Sequence, residues 1–155
     1  MKNVILVLLV ATICLLAFVP NKPQRVDNQP NTSPIEGSWE LYSTEKDGKT
    51  TYNNKPSQIK VYHDGYFCMI AYWDSGKFRF AAAGTYEFDG IHYKETATYH
   101  TSTQFIGASI WVDNSVIGDT LITSGFKKVV MADGKDVTKD WGGDSFIEKK
   151  VRVKK

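Results

Sequence analysis

A chain of 155 residues, 42% hydrophobic and 23% charged, is long enough to bury one core and too short for two domains once its N-terminus is set aside. Aromatics at 13% favour strands and large contact surfaces, and a formal charge of +2 argues against a nucleic-acid partner, which needs a clustered basic face. Only the tail from Glu148 to Lys155 is locally basic, and it reads as a solvated last strand.

Residues 1–20 carry Lys2 and then an apolar run from Val4 to Val19 relieved only by Thr12. This pattern reads as an export signal, either cleaved or kept as an anchor. As a helix the run would span about 24 Å, short of the roughly 30 Å hydrocarbon core. Cys14 follows Ile13 inside the run, whereas a lipidated cysteine follows a small residue, so a lipoprotein is not expected. Residues 21–35 are polar, rich in Pro and Asn and without period, and read as a flexible linker to a domain spanning 36–155. Beyond the leader Cys68 is the only cysteine, so packing rather than an internal disulfide must hold the fold. Its apolar neighbours predict a buried, inert thiol.

Past Glu36, Asp-Gly pairs recur at 47–48, 64–65, 89–90 and 133–134, with Gly118-Asp119 between them. Such pairs supply the positive φ of tight hairpins. The runs between them are rich in Tyr, Phe, Trp, Val, Ile and Thr and predict eight strands at 37–45, 57–63, 66–73, 78–88, 91–100, 108–117, 120–130 and 145–153. The expected class is all-β: an antiparallel up-and-down barrel of about eight strands, with a two-sheet sandwich as the competing architecture. Ala81 to Gly84, small residues inside an aromatic run, predict a sharp bend or a close backbone approach, with room for a ligand as the alternative. Residues 131–144 are polar and turn-rich and predict a long loop at a barrel mouth, with at most a short helical turn.

The Gly-Ser-Trp of Gly37 to Trp39 resembles the opening of the first strand in the lipocalin and calycin group. The likeness extends to the small exported lipocalin-like domains of bacteria. It rests on "KVYHDGYF" at Lys60 to Phe67, "GTY" at Gly84 to Tyr86, "YKE" at Tyr93 to Glu95 and "GDTL" at Gly118 to Leu121. The resemblance implies a barrel stoppered at one end by Trp39, with the Arg152 guanidinium on its indole beside Gly37. Lys150 stands where the pattern has a bulky aromatic. The resemblance also implies an exported bacterial location, in the periplasm, at the cell envelope or secreted, and mostly unassigned function.

Strand alternation sorts the chemistry. In "IHYKETATYH" it puts Ile91, Tyr93, Glu95, Ala97 and Tyr99 on one face, expected to be inward, and His92, Lys94, Thr96, Thr98 and His100 on the other. A buried Glu95 needs partners, expected from Tyr hydroxyls or Arg79; the alternatives are a ligand anchor or a general acid. His92 and His100 are roughly 26 Å apart along a straight strand, so no metal constellation is expected, and His63, His92 and His100 read as surface residues. No nucleophile elbow, phosphate loop or cofactor motif is present.

These features predict a non-enzymatic module that binds a small apolar or aromatic compound. Its expected ligand-binding residues are Trp73, Arg79, Tyr86, Tyr93, Glu95, Tyr99 and Trp111. One alternative is a structural or interaction domain with a solid barrel; another is a hydrolase- or isomerase-type enzyme using Glu95. Membrane contact is expected only through an uncleaved N-terminal segment, and the oligomeric state is left open.

Overall fold

The computed structural model describes residues 33–154. The readings of residues 1–20 as a signal or anchor and of most of 21–35 as a linker fall outside them. Nine antiparallel strands follow in order: β1 (Gly37–Lys46), β2 (Lys49–Tyr52), β3 (Gln58–His63), β4 (Tyr66–Tyr72), β5 (Phe78–Phe88), β6 (His92–His100), β7 (Ser109–Ile117), β8 (Thr120–Val130) and β9 (Phe146–Arg152). Each of β3 to β8 pairs with the next, and β1 joins β3 to β9, which closes an eight-strand barrel. Closure removes the exposed edges that an open sheet leaves unpaired.

The extra strand is β2, four exposed residues that sequence reasoning did not find. It lies along Ser43 to Lys46 of β1, while β3 takes Gly37 to Glu40 of the same edge, so the two short strands share one side of β1. The hairpins turn where the Asp-Gly pairs stand: Asp47 and Gly48 both have positive φ, as do Asp64 and Gly65. After β8 the chain carries two short 3-10 turns, Thr138–Trp141 and Gly143–Ser145, before β9.

Two features shape the cylinder. Gly84 lies at a register shift where Ala83 faces Tyr99 but Gly84 faces Ala97. A Cβ at Gly84 would overlap the Thr96 carbonyl oxygen, so the close approach of β5 and β6 requires glycine. The residue bulged out is Thr98, and a single extra residue reverses which face each later side chain takes. Tyr99, expected inward, is therefore on the outside and 71% exposed, while His100 turns in. Two further expectations are corrected. Ile91 precedes β6 and is exposed, because it belongs to the turn from Asp89 rather than to the strand. Cys68 is also exposed, since β4 turns Phe67, Met69 and Ala71 inward and alternation leaves the thiol outside.

The second feature closes one end. Trp39 is fully buried and its indole N–H donates to the Ile35 carbonyl at 2.6 Å. Arg152, its direct partner on β9, lies with its guanidinium 4.1 Å from the ring centroid and donates to the carbonyls of Glu36 (2.7 Å) and Pro34 (3.1 Å). Gly37 has φ +114°, and a Cβ there would sit 2.7 Å from Arg152 Nη1. The stopper thus needs a residue with no side chain, a flat ring and a planar cation in contact. Ile35, Tyr62, Tyr86, Phe67 and Leu121 pack into the same core cluster.

Candidate functional site

Inside the barrel lies a cavity of about 920 Å³. Its exposed lining residues, among them Phe78, Arg79, Thr101, Ser102 and Asp140, belong to the end opposite the Trp39 stopper, so the cavity opens there. Two zones differ in chemistry.

The mouth zone is aromatic. Phe80 stacks on His100 (centroids 5.4 Å apart), His100 meets Phe105 edge-on (4.9 Å), and Phe105 meets Trp141 (5.8 Å). Trp141 in turn meets Phe126 (5.4 Å), which stacks on Phe146 (4.5 Å). The six rings come from β5, β6, the 3-10 turn Thr103–Phe105, the turn Thr138–Trp141, β8 and β9, and all line the cavity. Such contacts add about 0.5–1.5 kcal/mol per pair beyond area burial.

The floor zone is polar and buried. Tyr93 donates to Glu95 Oε2 at 2.6 Å, and Lys60 forms an ion pair with the same oxygen. Lys150, 2% exposed, pairs with Glu148. Lys60 lies under the rings of Phe67, Tyr62 and Tyr93 at 4.8 to 5.4 Å. Burial, opposed by Lys150 and reinforced by Glu95, holds the Tyr62 hydroxyl well above the ordinary tyrosine range. Burial and then Glu95 do the same for Tyr93. Both phenols therefore stay neutral and able to donate. Asn114, on β7 opposite Thr123, also lines this zone and is 2% exposed. Among the described residues, neither its Oδ1 nor its Nδ2 has a hydrogen-bond partner.

Of the seven residues expected to bind ligand, the structure brings Arg79, Tyr93 and Glu95 to the cavity. Arg79 does not reach Glu95; it lies over Trp73 at 4.4 Å and near Phe80 at 5.6 Å. Trp73 itself is exposed beyond the end of β4. Trp111 is on the outer surface between Lys94 (5.7 Å) and Lys128 (5.5 Å), its cross-strand partners. Tyr86 packs at the stoppered end against Tyr62 and Tyr93, its hydroxyl 3.4 Å from Glu36, and burial followed by Glu36 raises its pKa. Tyr99 is outside for the reason given above.

Sequence reasoning missed Lys60, Asn114, Phe105, Phe126 and Trp141, and it took His100 for a surface residue. A signal existed for Lys150, which replaces an aromatic at an inward position, and for Trp141, which stands in the loop read as a mouth element. His63 and His92 are exposed beside Glu36 and Asp113. Among the described residues, no three His, Cys, Asp or Glu side chains converge to hold a metal ion.

No known protein-family profile matches the chain, and no curated protein does. Among solved structures, a lipocalin-like protein from Bacteroides uniformis is similar, with a TM-score of 0.53 and 13% identity over 78% of this chain and 100% of that one. An uncharacterized protein from Bacteroides eggerthii gives a TM-score of 0.46 and 13% identity over 76% of this chain and 98% of that one. At 13% identity what the Bacteroides uniformis protein shares with this chain is the fold, a lipocalin-like barrel.

Proposed function

We propose that this chain is an exported binding protein whose barrel takes one small compound with an apolar or aromatic body. The observation that carries the reading is the open cavity of about 920 Å³, within the range that small-molecule sites occupy, with an aromatic mouth above a polar floor whose charges are paired. A barrel serving only as a solid scaffold would fill that space with side chains. An enzyme using Glu95 would need that carboxylate free to meet substrate, yet Lys60 and Tyr93 engage it. The export signal read in residues 1–20 supports a role in the periplasm, at the envelope or outside the cell.

The test uses 1-aminoanthracene, a neutral aromatic fluorophore, titrated into the full chain. Saturable one-to-one enhancement is expected. Met69→Trp, which fills cavity space from β4, should weaken it at least about tenfold while leaving the thermal midpoint near wild type. No saturable binding to the wild-type chain, or equal binding to both chains, would overturn the proposal.

A further inference from the structure

The hairpin between β4 and β5, at the open end of the barrel, is apolar and cationic at once. Its register shifts by one residue: Ala71 faces Phe80 but Tyr72 faces Phe78, and Arg79 is the residue bulged out. With that shift the Tyr72 and Phe78 rings meet edge-on at 6.1 Å, and the Arg79 guanidinium lies 4.4 Å from the Trp73 ring centroid. All three rings are about half exposed. Apolar side chains scattered singly over a surface are ordinary, whereas three large rings on one hairpin tip mark a contact surface.

The charges around these rings point to the partner. Lys77 and Arg79 set two cations against Asp74 in the same hairpin. Tyr72 N–H donates to the Ser57 carbonyl at 2.7 Å, which brings the neighbouring segment alongside and with it the exposed Lys55. Among the described residues none of these three cations forms a salt bridge. The turns of the stoppered end carry the other sign, with Asp64, Asp89 and Asp119, and of these Asp119 is paired with Lys154. A barrel polarised in this way presents its mouth, not its closed end, to an anionic surface. A bilayer interface suits the tip on both counts: Trp and Tyr rings settle at headgroup depth, and Lys and Arg beside them are drawn to anionic lipid.

We propose that the β4–β5 hairpin docks the barrel, mouth first, on an anionic lipid surface, with Tyr72, Trp73 and Phe78 in the headgroup layer and Lys55, Lys77 and Arg79 among the lipid phosphates. Phe78 and Arg79 also border the cavity, so docking sets its opening against the lipid. The N-terminal segment is compatible with this orientation. It joins the barrel at the closed end, where Arg152 holds the Pro34 and Glu36 carbonyls, yet residues 20–32 reach about 40 Å when extended, more than the roughly 25–35 Å of a barrel strand. A chain still anchored by residues 1–20 can therefore turn its mouth to the same bilayer. The proposal goes beyond the binding reading and does not depend on it.

The experiment is hydroxyl-radical footprinting of the full chain, read residue by residue by mass spectrometry, with and without vesicles of phosphatidylcholine mixed with phosphatidylglycerol. Tyr72, Trp73 and Phe78 should lose reactivity at least about threefold relative to Tyr66, at the closed end, and Trp111, on the outer face of β7. Vesicles of phosphatidylcholine alone should protect them less. Lys55→Gln combined with Lys77→Gln should bring the mixed vesicles down to that weaker protection, since each cation near an anionic surface is worth about fivefold in affinity. A chain held to the vesicle by residues 1–20 alone would leave the three rings as reactive as in buffer, and that result overturns the proposal. So does protection that extends equally to Tyr66 and Trp111, or equal protection by the two kinds of vesicle. Protection that appears without lipid and grows with protein concentration would give the hairpin to a second copy of the chain and refute the lipid surface.

Discussion

The two ends of this barrel are closed by different physics. At the stoppered end Arg152 is tied to backbone carbonyls and laid on Trp39, and Gly37 leaves no slack against it. At the mouth, six rings touch edge and face, His100 alone among them accepting a main-chain hydrogen bond, from Ser102 N–H at 2.9 Å, and two of them stand on short 3-10 turns. The first arrangement admits one geometry; ring contacts admit several of similar energy. Stability therefore concentrates at one end and adaptability at the other, which suits the proposed role of a container that fills and empties.

The largest expected effect breaks the stopper. Trp39→Ala removes a fully buried ring and should cost about 3–5 kcal/mol of unfolding free energy, read by urea denaturation. A loss below about 1 kcal/mol would mean that the closed end does not carry the fold. The second effect comes from the floor, where Tyr62 and Tyr93 are held protonated in the native state. In the unfolded chain each releases its proton near pH 10, so there the unfolded state binds fewer protons than the native one. Stability should be intact below about pH 10 and fall above it, by up to about 1.4 kcal/mol per pH unit for each of the two phenols. Tyr62→Phe should remove one share of that slope in denaturation curves taken between about pH 9 and pH 11. An unchanged slope in the variant would assign the alkaline loss to other groups.

The smallest effect on stability is expected at the mouth. Trp141→Ala removes a half-buried ring from a 3-10 turn and should cost less than about 1 kcal/mol while accelerating 1-aminoanthracene release in stopped flow. If this variant instead destabilises as much as the Trp39 variant, the division between the two ends is wrong.

Much of the fold was legible because period-two runs and Asp-Gly turns are local signals. The eight barrel strands fall within a residue or so of their expected bounds. β2 escaped because four exposed residues between a turn and a Pro-containing loop carry no alternation. The inward face was read correctly through Tyr93, Glu95 and Ala97 and lost at Thr98, since a bulge changes parity without marking the residue it displaces. The site was less legible than the fold. The Lys60–Glu95 pair spans 35 positions, and the aromatic mouth draws rings from six separate elements, so neither leaves a contiguous pattern. Both arise only when the cylinder closes.

The buried ion pairs bear on how the strands find their alignment. Lys60 on β3 and Lys150 on β9 point in while Ile59 and Val151 face solvent, the reverse of what hydrophobicity alone prefers. A one-residue slip of β3 would turn Ile59 and Val61 inward but would eject Lys60 and the buried Tyr62 and strand Glu95 without its counter-charge. Charge matching across the interior, together with the buried Tyr62 ring, thus acts as a key that accepts one alignment and rejects its neighbour.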